Sequence, residues 1–446
     1  MSGQMRDTQS VSAALADRLR APVDSRDRER AALLALDWAG CAVAVRNAPA
    51  AKAMATVFPY NDVSADWQNA VMWLGALGNI LEMDDVDKRA LLHPGPVVTP
   101  SALVAAARCS ATDGVFLNAI VRGYEAMIRI GRSVGPGHYR YWHNTSTCGP
   151  FGAAAAATSI AGLDKDQTSE ALGLAATQAA GLWQVRAEPM SHGKQLHTAR
   201  AAQSGLSAAF LAEAGFVGIK TALEGEQGFF AAMCPGVEAT SVDTDPGRWA
   251  IHEVSIKPWP ACRHAHAAID AALLLRKEIT SPDQLEEIEV KTFRDALVFC
   301  DDPDPEDSLS AKFSLQHAVA VTLLFGPPQL EHFEQVVINN ETIASLRKRI
   351  KVSDDPRFSK SYPAHFGAEI GARAADQTVL TYCVLDALGD PENPISKAQV
   401  LDKFRTLCAW GDVSMDAVDR LTKAISGDFG GRDVQDALKN LVIGSV

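Results

Sequence analysis

The sequence predicts a mainly α-helical protein: a large all-helical domain built from both chain ends, with a smaller α+β domain inserted between them. Three observations carry this. Apolar positions recur at helical spacing from about Val11 to Lys220 with no alternating stretch. Segments rich in strand formers appear only after that block. Helical spacing then returns from Lys397 to Val442. The expected boundaries are 1–258 for the first helical part, 259–396 for the α+β domain and 397–446 for the helical return. A chain of 446 residues exceeds the usual size of one core, which fits this division.

In the helical block, Asp164-Lys-Asp-Gln167 has the spacing of a capping box and leads into the apolar pattern from Glu170 to Ala180. Its many Ala and Gly residues allow helices to approach closely. In the mixed region, strands are expected at Ile251–Ile256, at Leu285–Phe293 with Ile288 and Val290 on one face, at Val336–Ile338 and at Thr378–Val384. The turn-forming run Asp390-Pro-Glu-Asn-Pro-Ile395 closes that region.

Lys and Arg total 42 against 54 Asp and Glu, a formal charge of −12, and no basic run carries interleaved aromatics. Nucleic acid is therefore excluded as the expected partner. An acidic protein that binds an acidic substrate must gather positive charge locally, so clustered or buried Lys, Arg and His carry the search for a site. The eight cysteines are scattered, with neither a C-x-x-C pair nor zinc-site spacing, and read as reduced thiols of a cytoplasmic protein. The opening MSGQMRDTQS lacks a signal-peptide core, and Asp37 interrupts the apolar run from Ala31 to Val45, so neither secretion nor a membrane span is expected. Nucleotide, serine-hydrolase and zincin motifs are missing, and no cofactor or metal is expected.

Four segments bear chemistry. Glu82-Met-Asp84-Asp85 leads through an acidic stretch to His93-Pro-Gly, where carboxylates could orient an imidazole; the alternative is a solvated acidic loop. His143-Asn-Thr145-Ser-Thr147 precedes an Ala-rich helix start, a pattern that serves carboxylate binding or plain capping. Glu188-Pro-Met-Ser-His192-Gly-Lys194-Gln-Leu-His197 sets a lysine among small and apolar residues, either desolvated for proton transfer or simply solvated. Lys257-Pro-Trp-Pro-Ala-Cys-Arg263-His264-Ala-His266 lies where the helical block passes into the mixed one, on a stretch stiffened by prolines. His264 and His266 have no third ligand at recognisable spacing, which argues against a metal there.

In order along the chain, Asp84-Asp85 with His93-Pro-Gly, Gly123-Tyr-Glu with Arg129-Ile-Gly, and the run His143 to Gly152 resemble the MmgE/PrpD family. Gly162-Leu, Ala171-Leu-Gly-Leu-Ala, Lys194-Gln-Leu-His197, Leu211 to Phe216, Glu224-Gly, Lys257-Pro-Trp-Pro-Ala-Cys and Lys312 to Ala320 extend the resemblance over nearly the whole chain. It implies cofactor-independent acid/base chemistry beside a carboxylate of a small polycarboxylic acid, a smaller lid domain with the site in the cleft beneath it, and a homodimer. Carried over position by position, it implies catalytic roles for Asp84, Asp85, His93, His143 and Lys194 and substrate binding by Lys257. Thr145, Glu82 and His317 are added as substrate contacts, and Arg263 is added on charge alone. Glu82, Val86 and His317 stand where the family often has Asp, Thr and Tyr. Dehydration, decarboxylation and epimerisation share an enolate-like species stabilised by positive charge. Because His317 would add a group titrating near neutrality, the sequence points to an epimerase of an iminodisuccinate-type aminodicarboxylate. A 2-methylcitrate dehydratase-like or cis-aconitate decarboxylase-like lyase is the alternative, and a non-catalytic binding protein of the same fold a distant one. Activity is expected to survive exhaustive chelation; a loss restored by a divalent ion would overturn the metal-free reading.

Overall fold

The computed structural model describes residues 10–188, 191–244, 246–374 and 377–443. The reading of the first nine residues, and Pro189 and Met190 of the Glu188–His197 segment, lie outside them. The chain divides into two compact units, the first comprising Met1–Ala187, Ser191–Val254 and Lys397–Val446, the second Glu188–Met190 and Ser255–Ser396.

The first unit is helical throughout. Its centre is the helix Asn144–Ala161, against which Asp113–Ser133, Gly193–Glu213 and Gly95–Cys109 all pack. Small residues set how near these helices come. A methyl group added at Gly123 would lie 2.8 Å from the carbonyl oxygen of Gly152, and one added at Gly205 would lie 2.2 Å from that of Pro150. Backbones thus meet without intervening side chains, and the ends of Asn144–Ala161 and Gly193–Glu213 are fixed relative to each other. Asp164 caps Lys165–Ala176 with both halves of the capping box present, as its spacing predicts. The C-terminal helices are Lys397–Trp410, Met415–Ala424 and Asp433–Val442, and the first of them lies against Ser25–Ala44.

The second unit holds a four-stranded mixed sheet of β1 (Leu285–Thr292), β2 (Ile350–Asp354), β3 (Ala368–Ala374) and β4 (Val379–Val384), in the order β2-β1-β3-β4. β1 runs parallel to β2 and antiparallel to β3, and β3 antiparallel to β4. Ile288 and Val290 are buried on one face, as their alternation predicts. The helix His266–Arg276 covers β3 and β4.

Two expected strands are absent. Ala250–Glu253 is a 3₁₀ turn, because Arg30 takes the carbonyls of Ile251 at 3.3 Å and Val254 at 2.6 Å away from any ladder. Gln335–Ile338 is a short helical turn closed on Glu334, whose carbonyl accepts from Val337 and Ile338. Both are cases in which tertiary or capping bonds override strand propensity. Among the described residues no single helix is long and apolar enough to cross a membrane.

Asp37, which interrupts the apolar run of Ser25–Ala44, is buried against Lys403 at 2.6 Å, and Lys403 also donates to the carbonyl of Met83 at 2.7 Å. Burial opposes the ammonium, but Asp37 and its acidic neighbours outweigh it and raise the lysine above its ordinary range. Lys403→Met is expected to cost about 3–5 kcal/mol by leaving a buried charge unanswered, and pairing it with Asp37→Leu should recover much of that loss. Urea unfolding of the three variants checks this; additive losses would refute it.

Candidate active site

Glu82, Asp84, Asp85 and His93 lie in the loop between Trp67–Leu77 and Gly95–Cys109. Glu82 adopts the left-handed backbone conformation (φ 61°), unusual for a residue with a side chain, and its carboxylate grips Lys194 with both oxygens at 2.6 and 2.7 Å. The lysine is therefore not the lone desolvated amine that its small and apolar neighbours suggest; it is one half of an ion pair.

The adjacent aspartates do different things. Asp84 Oδ2 accepts from His93 Nδ1 at 2.8 Å and from Asn79 at 2.8 Å. The carbonyl of Asp85 also faces His93 Nδ1, at 3.1 Å. With two acceptors against Nδ1, that nitrogen carries the hydrogen, and Nε2 is left as the basic atom of a partly exposed ring. Asp85 instead turns inward: its oxygens accept from Gly95 N at 2.9 Å and from the Tyr124 hydroxyl at 2.8 Å. Any β-carbon at position 95 would lie 2.2 Å from Asp85 Oδ1, which explains the glycine of His93-Pro-Gly. Both oxygens occupied and only 2% exposed, Asp85 is an anchor of the loop and not a group facing a substrate.

His143 is the N-cap residue of Asn144–Ala161, without a side-chain capping bond. Its ring stacks on Trp183 (centroids 4.3 Å apart, planes within 3°), and its Nδ1 lies 3.2 Å from Nδ1 of His197. One of these nitrogens must donate and the other accept, so at least one ring is neutral. Burial pushes both imidazoles down, with Lys194 adding to it; His197 reaches about 4 and His143 is held well below its ordinary range. The hydroxyls expected to cap the helix are inside its first turn. Thr145 accepts from His93 N at 3.1 Å, tying the two segments together, and Thr147 is 2.8 Å from Nε2 of His138.

The first unit thus brings together Glu82, Asp84, Asp85, His93, His143, Thr145 and Lys194. Sequence reasoning passed over Trp183 and did not select His197. The signal for His197 was present, since three residues after Lys194 it shares that helix face; nothing marked Trp183.

Lys257, Arg263 and His317 belong to the second unit. Lys257 is buried. Arg263 is buried and pairs with Asp390, which also accepts from Ser255 at 2.5 Å. Its Nε and Nη1 have no hydrogen-bond partner. His317 does not titrate near neutrality: burial, with the Arg347 guanidinium 3.2 Å from its Nδ1, pushes it down to about 4, and its Nε2 faces the carbonyl of His332. His264 and His266 do not converge, one facing Cys262 Sγ and the other the carbonyl of Ala261. Among the described residues His365, Asp386 and Glu392 bring ligand atoms within 4.8 Å of one another, and His365 Nδ1 is already held by both Asp386 oxygens.

Two family models match the chain, the MmgE/PrpD N-terminal domain over residues 16–241 and the MmgE/PrpD C-terminal domain over residues 259–424. The chain belongs to the MmgE/PrpD family. Within it, the chain is 28% identical over 422 residues to a cis-aconitate decarboxylase-like protein, oryM, of Aspergillus oryzae, covering 85% of this chain and 86% of that one. It is 28% identical over 273 residues to the cis-aconitate decarboxylase of Mus musculus, covering 59% of this chain and 55% of that one. It is 26% identical over 209 residues to the 2-methylcitrate dehydratase of Salmonella typhimurium, covering 45% and 43% respectively.

Burial, with the carboxylates of Asp37 and Asp84 adding to it, pushes Asp85 up from 3.8 to about 7. A carboxyl raised on folding binds more protons in the native state, so its contribution to stability is greatest at acid pH and falls as pH rises from 3.8 to about 7. Asp85→Asn should flatten that part of the stability curve in urea titrations at stepped pH. An unchanged slope would contradict the anchoring role.

Proposed function

We propose that this MmgE/PrpD protein is a lyase acting on a small polycarboxylate, its reaction the decarboxylation of a cis-aconitate-type unsaturated tricarboxylate. The observation that carries this reading is the convergence, in one helical unit, of the Lys194–Glu82 pair, the His93–Asp84 dyad and the neutral His143–His197 pair. Loss of CO₂ leaves the electrons of the broken C–C bond on carbon, where they must be stabilised by positive charge and then quenched by a proton. Lys194 offers the charge, while His93 and His143 offer ring nitrogens that move a proton without a cofactor. In the second unit, Lys257 and Arg263, the latter with Nε and Nη1 unengaged, are the cations suited to holding carboxylates.

The relative oryM supports decarboxylation over most of the chain. Dehydration of a 2-methylcitrate-type hydroxy acid is the second reading, favoured by the dehydratases of Salmonella and Yarrowia lipolytica. It instead requires a base to remove the proton α to a carboxylate and an acid at the leaving oxygen. Epimerisation loses its specific support once His317 is found buried and neutral, and the relatives named here are decarboxylases and dehydratases.

Incubation with cis-aconitate and with 2-methylcitrate in D₂O separates the three: CO₂ release, alkene formation, or C–H exchange with neither. His143→Ala and Lys194→Ala should each lower kcat by about 10²-fold or more with modest change in KM. Arg263→Lys, which can keep the pair with Asp390 but gives up the planar fork, should chiefly raise KM. Near-normal kcat in folded His143→Ala and Lys194→Ala would sink the assignment.

A further inference from the structure

Away from these residues, the first unit contains a cavity of about 230 Å³ lined by the end of Val11–Arg18 and the following turn, by Arg122 of Asp113–Ser133, by Ala155, Thr158 and Ser159 of Asn144–Ala161, and by Thr168. Two arginines, Arg20 and Arg122, open into it. Neither has a carboxylate partner among the described residues. The guanidinium of Arg122 donates from Nη1 to Ser159 Oγ at 2.7 Å, and its buried Nε has no hydrogen-bond partner. The acids nearest in sequence are engaged elsewhere: Asp17 with Lys165 at 3.5 Å, Asp24 with the backbone N–H of Asp27, and Glu125 with Arg18 and Arg129. Arg18, two residues before Arg20, is held by Glu125 and the carbonyl of Gly247.

Two like charges left facing one cavity are unfavourable in the empty protein. Burial, with Arg20 adding to it, holds Arg122 below its ordinary range, with no acid opposing. Of the other arginines described in this unit's interior, Arg18, Arg129 and Arg132 are answered by carboxylates and Arg30 by the carbonyls of Ile251 and Val254. An unanswered pair of forked donors with hydroxyls beside it is the arrangement that binds an oxyanion. The volume decides the size: pockets for drug-sized ligands run from about 300 Å³ upward, so this one suits an anion of a few heavy atoms and excludes a nucleotide.

We propose that this cavity is a binding site for a small dianion of the phosphate class, held by Arg20 and Arg122 and separate from the candidate active site. The proposal does not depend on the reaction assigned above.

Inorganic phosphate is the probe, with titration calorimetry and hydrogen exchange on the full-length protein at constant ionic strength. Saturable binding is expected, with protection gained in peptides covering 155–168 and 16–20. Arg20→Gln, at an exposed position, should weaken binding by about tenfold or more, since a charge-assisted contact is lost. Without phosphate the same variant should melt no lower than the parent, and slightly higher if the like-charge repulsion is felt. Arg122→Gln should act in the same direction on binding. Binding unchanged in both variants, protection confined to residues 82–93 and 143–147, or no saturable binding at all would each overturn the proposal.

Discussion

Four carboxylates, Glu82, Asp84, Asp85 and Asp87, are buried within six consecutive residues, and this unit of the fold is arranged around answering them. An unpaired buried carboxylate costs several kcal/mol, so the loop can hold its shape only where each acid finds its own partner. The partners come from two helices and from the loop itself. Lys194 comes from the start of Gly193–Glu213, His93 from the far end of the loop, Tyr124 from the middle of Asp113–Ser133 and Arg132 from that helix's last turn. Lys403 adds a fifth tie from the C-terminal segment through the carbonyl of Met83. A loop so specified is rigid because moving any one helix would strand a charge.

The same arrangement separates structure from chemistry within a single dipeptide. Asp85 faces inward and is pushed toward its neutral form, where it serves as a hydrogen-bonded anchor. Asp84, one residue earlier and pointing the other way, remains against an imidazole and fixes which nitrogen of His93 is basic. The helices that carry His143 and Lys194 are held at backbone contact by glycines, so packing adds to the hydrogen bonds of these two side chains in placing them. Glu82 holds a left-handed backbone conformation that a side chain disfavours, and its compensation is the two-oxygen grip on Lys194.

Much of this was legible in the sequence, because periodicity and capping are local. The helical run, the strands at Leu285–Thr292 and Val379–Val384 and the cap at Asp164 follow from spacing alone. The chemistry-bearing segments were also visible, since an acidic cluster ending in His-Pro-Gly is conspicuous. What spacing could not reveal is which partner each charge meets. The turn of Asp85 toward Tyr124, the grip of Glu82 on Lys194 and the stacking of Trp183 on His143 are set by residues 39 to 112 positions away. The failed strand at Ile251–Ile256 has the same origin, in a distant arginine that claims its carbonyls. His317 was misjudged because exposure, not residue type, decides where an imidazole titrates.

For a chain with a formal charge of −12, the way positive charge is distributed decides what it can attract. Most interior cations of the helical unit are matched to acids, and such pairs add little to the field felt by an approaching anion. Neutral imidazoles beside the Lys194–Glu82 pair extend the logic, because two protonated rings there would repel each other and the lysine. Under the function proposed above, a substrate carboxylate would reach Lys194 by competing with Glu82, not through an open cluster of free charge. That competition would tie substrate binding to the left-handed turn at Glu82: as the carboxylate grip loosens, the compensation for its backbone conformation is lost, and the net affinity would be the gain at Lys194 less that cost.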